Sequence, residues 1–173
     1  SKYFREGKIT KVYYALVSPC PKNQEGIINT KINKRKSFSK NKMFISKYVG
    51  KKAITKYLIL DKLDKKLALV ALFPVTGRTH QLRLHMYHIG SPIVGDKKYS
   101  NKSEESMLLD YDKELKLHAA MLKKPNEKIL EADLPRHFKD AMKYYGLDIK
   151  DKRNVFNLLT RDKIENKKTI SFI

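Results

Sequence analysis

The sequence predicts an α+β fold for a single domain of 173 residues. Three observations carry that expectation. Apolar, β-branched and aromatic runs crowd the first half of the chain. Only two segments repeat apolar residues at helical spacing, and each has its own start and stop residues. No internal repeat divides the chain. Strands first and few helices later read as α+β rather than as alternating βα units.

Lys11-Val-Tyr-Tyr-Ala-Leu-Val17 is apolar or aromatic on both faces and reads as a buried strand ending at Ser18-Pro19. Gly26–Ile32, Ala53–Leu60 and Lys66–Phe73 read as further strands, with a hairpin turn over Asp61–Lys65. The period then changes. In Thr79–Ile89, the residues Leu82, His85 or Met86, and Ile89 fall on one helical face; Thr79 is expected to cap the start and Gly90 to close the end. A second helix is expected over Pro135–Tyr145. Pro135 stands at its first position, Phe138, Met142 (or Ala141) and Tyr145 share a face, and Gly146 ends it. Residues 147–173 are mixed in charge and weakly periodic, and are expected as a tail.

Composition narrows the function. Lys and Arg number 38 against 18 acidic residues, for a net charge of +20. A polyanionic partner is expected, nucleic acid before a membrane surface, because no strongly basic amphipathic helix has a Trp or Phe face. Biased composition also inflates lysine, since 31 of the 38 cations are Lys and 7 are Arg. The charge is nonetheless clustered. Between Gly26 and Leu60 stand ten basic residues and no acid, interleaved with Phe38, Phe44, Tyr48 and Tyr57. A single cysteine, Cys20, excludes an internal disulfide framework and any multi-cysteine metal site. No apolar run approaches the roughly 20 residues of a membrane helix, and the first residues begin no signal peptide, so a cytoplasmic protein is expected.

The most informative segment is Val75-Thr-Gly-Arg-Thr-His-Gln-Leu-Arg-Leu-His85, followed by Gly90-Ser-Pro-Ile-Val-Gly-Asp96 and Tyr99. A strand passes through Gly77 into a helix, with Arg78 just before the helix and Arg83 one turn inside it. In a chain that uses Lys for generic charge, two arginines five residues apart suggest that fork geometry matters.

These residues resemble the C-terminal signature of the RluA-type RNA pseudouridine synthases. Lys11–Val17 resembles the family's Lys-x-Tyr-x-Ala-x-Val strand, and Ala53-Ile-Thr-Lys-Tyr57 its Ala-x-Thr-x-Tyr strand. Leu117-His-Ala119 and Ala132-Asp-Leu-Pro135 resemble two later motifs. The resemblance spans about residues 1 to 145. It implies a mostly antiparallel mixed sheet with a few flanking helices, as in the C-terminal half of a synthase catalytic domain. It also implies isomerisation of uridine to its C-glycoside without cofactor or metal, on a base flipped out of the RNA. Large-subunit ribosomal RNA is the implied substrate. In such enzymes an aspartate does the covalent chemistry, an arginine pairs with it, and a tyrosine packs on the target base. By motif, the arginine is Arg83 and the tyrosine Tyr13. Arg78 and the basic residues Lys34, Arg35, Lys36, Lys40 and Lys42 are expected on RNA backbone, with Thr79, His80, Gln81 and Asp96 in supporting roles.

One part of the pattern is missing. The family's His-Arg-Leu-Asp-x-x-Thr-Ser-Gly precedes the tyrosine strand, and only ten residues precede Lys11 here, none of them Asp. Asp64, in Lys62-Leu-Asp-Lys-Lys-Leu-Ala68, imitates it poorly, because it follows the tyrosine strand and falls in the expected turn. The chain does not begin with Met. Residues 1–146 are therefore expected to be the C-terminal part of a synthase catalytic domain, partnered by its N-terminal half and inactive alone. The Tyr13 strand is then expected to have an unpaired edge. The rival reading is a non-catalytic basic RNA-binding module or a decayed synthase fragment. A metal site at His80, His85 and His88 is not expected, because no Glu stands where a His-Glu-x-x-His pattern places its base.

Overall fold

The computed structural model describes residues 8–34, 42–100, 113–160 and 169–171; at 152, 153 and 169–171 only the backbone is described. Among the described residues, eight strands form one sheet: β1 (Thr10–Val17), β2 (Glu25–Lys34), β3 (Met43–Ser46), β4 (Lys51–Leu63), β5 (Leu67–Pro74), β6 (Leu117–Lys123), β7 (Leu130–Glu131) and β8 (Thr169–Ser171). Their spatial order is β3-β2-β4-β5-β1-β6-β7, with β8 also beside β2. Every pairing is antiparallel except that of β8 with β2, so the sheet is mixed and mostly antiparallel, as expected. Helices α1 (Gln81–His88), α2 (Arg136–Tyr144) and α3 (Lys152–Thr160) flank it.

The central strands explain the continuous apolar runs. Both faces of β1 and β5 are covered, so alternate residues serve two cores. Val12, Tyr14, Leu16, Leu67, Leu69 and Ala71 pack with Phe138, Ala141 and Met142 of α2 and with Val155, Phe156 and Leu159 of α3. Ala15, Val17, Ala68, Val70 and Leu72 pack on the other face with Leu82 and Met86 of α1. A one-residue slip of β1 would exchange these sets, so the register is strongly specified.

Several expectations change here. The Tyr13 strand has no open edge, because β1 is paired with β5 on one side and β6 on the other. Residues 147–173 do not begin as a tail: Leu147, Ile149, Val155, Phe156 and Leu159 are buried in the α2–α3 core. Thr79 does not cap α1. The cap position is His80, in the left-handed conformation (φ 54°) and without a side-chain capping bond. Gly90 (φ 78°) closes the other end as expected. The β4–β5 turn is shorter and later than expected: Asp61–Leu63 extend β4 by pairing with Leu67–Leu69, and the turn occupies Asp64–Lys66, with Asp64 at φ 50°.

Candidate active site

The family motifs, scattered in sequence, are neighbours in the sheet. Tyr13 of β1 lies opposite Leu72 of β5 and Ala119 of β6. Between Val12 and Tyr13 the β1–β6 register shifts. Such a bulge re-aims a side chain locally. Tyr13 is half-buried and lines a cleft of about 520 Å³ together with Lys11, Val75–Arg78, His80, Gln81, Leu82, Arg83 and Leu117. Burial pushes its phenol above the ordinary value. Tyr14, one residue on, packs into the opposite core.

Arg83 enters this cleft from the first turn of α1. Its Nε donates to Asp96 Oδ2 at 2.7 Å and its Nη2 to Asp96 Oδ1 at 2.6 Å. Oδ1 also accepts the backbone N–H groups of Lys98 (2.9 Å) and Tyr99 (3.0 Å). Burial alone would raise the Asp96 carboxyl, but these donors hold it below its ordinary value. The hydrogen bonds that Arg83 donates to Asp96 in turn raise the guanidinium above its ordinary value. Asp96 is thus a saturated carboxylate with a side chain closed to solvent, while Arg83 keeps a side-chain exposure of 21%. Two of the five guanidinium N–H donors are used by Asp96, which leaves three for another acceptor. Gly95 sets the turn that delivers Asp96. It has φ 78°, and a Cβ there would strike the carbonyl oxygen of Glu114.

A buried polar chain holds the start of α1. Ile54 N–H donates to Thr76 Oγ1 (2.8 Å), whose own proton goes to Gln81 Oε1 (2.7 Å). The same Oε1 accepts Arg78 N–H (3.0 Å), which fixes the amide orientation. Gln81 Nε2 donates to Ile54 O (2.9 Å) and to Thr55 Oγ1 (3.0 Å). The Thr55 proton is then left for His85 Nδ1 at 2.8 Å, and His85 Nε2–H goes to Thr30 Oγ1 at 2.9 Å. Burial, with the nearby His88, pushes the His85 imidazole down to about 3, so it is neutral. Both its nitrogens are engaged by threonines. Of the two threonines that anchor the chain, Thr55 stands in the Ala-x-Thr-x-Tyr motif, whereas no motif singled out Thr30.

Of the remaining expected residues, Arg78 lines the cleft, whereas Lys34 and Lys42 stand on the β2–β3 edge of the sheet and do not. Arg78 is exposed, and its Nε donates to Lys52 O at 3.1 Å. Lys34 ends β2 and Lys42 precedes β3, and both are exposed. Arg35, Lys36 and Lys40 lie outside the described residues. Lys56, a member of the charge cluster, is instead buried against Phe73. Asp64 is exposed in its turn and does not line the cleft. Among the described residues, no carboxylate lines it.

The sheet and the placement of the motif residues define a protein of the RNA pseudouridine synthase class, whose members are isomerases. The family model described as RNA pseudouridylate synthase matches residues 1–88, and the chain belongs to that family. It is similar to the ribosomal large subunit pseudouridine synthase C of Rickettsia felis, with 41% identity over 143 residues, covering 79% of this chain and 45% of that protein. It is also similar to the ribosomal large subunit pseudouridine synthase D of Borreliella burgdorferi, with 39% identity over 57% of this chain and 30% of the other. Among solved structures, the human RNA pseudouridylate synthase domain containing 4 protein matches with a TM-score of 0.68 and 26% identity, over 87% of this chain and 67% of that one. The chain spans less than half the length of the two bacterial relatives. No helix among the described residues is long and apolar enough to cross a membrane.

Proposed function

We propose that this chain forms the arginine- and tyrosine-bearing part of a cytoplasmic RNA pseudouridine synthase that acts on large-subunit ribosomal RNA. The nucleophilic aspartate is supplied by the N-terminal half of the same catalytic domain. One observation carries this reading. Tyr13 and Arg83 wall one basic cleft in which, among the described residues, there is no carboxylate.

Each residue then has a task. Arg83, oriented by Asp96, offers its remaining N–H donors to the incoming aspartate and keeps it ionised. Tyr13 presents its ring to the flipped uracil. Arg78 meets a phosphate at the cleft and Lys34 and Lys42 meet phosphates along the β2–β3 edge, and Arg35, Lys36 and Lys40 extend that basic stretch in sequence. Thr79, His80 and Gln81 support the loop between them. The isomerisation breaks the N1–C1′ bond and forms C5–C1′; the C5 proton is removed and N1 gains one, so that no atom is lost overall. It needs an acid–base environment and positioning, which these residues share with the supplied aspartate.

The missing carboxylate also favours one rival reading, RNA binding without turnover. Pseudouridine formation in transcribed large-subunit ribosomal RNA separates the two. The native polypeptide containing this chain should convert uridine, and the 173-residue chain alone should bind RNA without converting it. Conversion by the chain alone would place the nucleophile within it. RNA binding by the native polypeptide with no conversion would establish the rival.

A further inference from the structure

Tyr99 joins three parts of the molecule. It is 2% exposed and packs with Ile32, Ala53 and Leu84. Its ring lies under the Arg83 guanidinium (5.3 Å to the centroid) and edge-on to His80 (centroids 5.6 Å apart). Its hydroxyl accepts Met43 N–H at 3.1 Å and stands 3.0 Å from His80 Nδ1.

This geometry fixes protons. A phenol has one hydrogen, and here the oxygen already accepts the Met43 N–H. If His80 Nδ1 also donated to it, the buried O–H would lack an acceptor, an arrangement that costs roughly 1–3 kcal/mol. The hydroxyl therefore donates to Nδ1, and the His80 proton sits on Nε2. Burial, Arg83 and Lys98 all disfavour a second proton on the ring, against the pull of Asp96. His80 walls the cleft beside Arg83, and among the described residues Nε2 has no partner. The backbone at His80 is left-handed (φ 54°), a conformation that strained functional positions often adopt.

We propose that His80 is a substrate-contacting residue, a neutral Nε2–H donor to an RNA oxygen inside the cleft, and that Tyr99 is the positioning residue that fixes its tautomer. The proposal rests on the pseudouridine synthase reading for its ligand. The acceptor is a uracil carbonyl or a phosphodiester oxygen, the chemistry of both being that of a hydrogen-bond acceptor among cationic walls.

The test uses the 173-residue chain and a single-stranded RNA oligonucleotide containing one uridine, with binding followed by anisotropy. Two variants keep the fold in different ways. His80→Asn retains tolerance of the left-handed backbone, and Tyr99→Phe keeps the ring under Arg83. His80→Asn should weaken binding about 5-fold, the size of one hydrogen bond, and Tyr99→Phe about 2-fold, because part of its population still carries the Nε2 proton; the salt dependence should be unchanged in both, since a neutral donor releases no counterion. Nitrogen NMR should show His80 with its proton on Nε2 in the native chain and a tautomer mixture in Tyr99→Phe, a change that simple loss of packing would not produce. If an abasic site replaces the uridine, disappearance of the His80→Asn effect assigns the acceptor to uracil, and persistence assigns it to phosphate. Native-strength binding by His80→Asn, or a proton on Nδ1 in the native chain, would overturn the proposal while leaving the synthase reading intact. Absence of any RNA binding by the native chain would overturn both.

Discussion

Arg83 and Asp96 meet through two parallel hydrogen bonds of 2.7 and 2.6 Å, although 13 residues separate them in the chain. The carboxylate is closed to solvent and the guanidinium is partly open to the cleft. An aspartate that accepts four donors fixes its arginine rather than reacting. Asp96 is therefore the rigid side of the site, and the open face of Arg83 is the side available to an incoming group.

Asp96→Asn removes the charge and leaves Arg83 without its partner. The expected loss is roughly 2–3 kcal/mol, below the 3–5 of a fully buried pair because Arg83 keeps some water. Urea unfolding reads it as a lowered midpoint at unchanged slope. An unchanged midpoint would mean that the pair contributes nothing to the fold.

Replacing Lys34, Lys42 and Arg78 together with Gln should lower the salt dependence of RNA binding by roughly two to three in the log–log slope, one unit or slightly less for each phosphate that is no longer neutralised. An unchanged slope would take this edge of the sheet out of the interface.

His85 makes stability depend on pH. Its folded imidazole lies at about 3, against an ordinary value of 6.5. Below pH 6.5 the unfolded chain therefore binds a proton that the native chain does not, and stability falls as pH drops toward 3, by up to about 1.4 kcal/mol per unit. His80 and His88, also lowered, act in the same direction from the same upper limit. Asp96, held below its ordinary value of 3.8, adds its loss only in more acid solution. Urea midpoints measured from pH 7 to 4.5 should fall steeply for the native chain and less steeply for His85→Gln. Parallel profiles would show that His85 is not the group responsible.

How much was legible in the sequence follows from the range of the interactions. β1 and β5 were readable because burial on both faces leaves unbroken apolar runs, and α2 because Pro135 and Gly146 bracket Phe138 and Met142. Strand β6 was seen only as a motif, since His118-Ala-Ala lacks the β-branched signal and owes its pairing to β1. Helix α3 was hidden because Val155, Phe156 and Leu159 make a narrow stripe in a charged segment, and only the neighbouring core makes that stripe useful. The cap of α1 was misplaced by one residue. Thr79 has a capping side chain, but the Gln81 N–H it would accept is already donated to Arg78 O at 3.0 Å. In the site, local motifs located Arg83 and Tyr13. The bonds that hold the site link residues up to 56 positions apart, as Met43 and Tyr99 are, and no local pattern encodes that pairing.

The most direct measurement of the central claim is the effect of Arg83→Ala in the native polypeptide that contains this chain, with pseudouridine formation and RNA affinity determined side by side. Turnover should fall by at least about 100-fold, because Arg83 acts on the reacting carboxylate, and RNA affinity should stay within severalfold. Turnover that survives the substitution, or affinity that falls as far as turnover, would contradict the role assigned to Arg83.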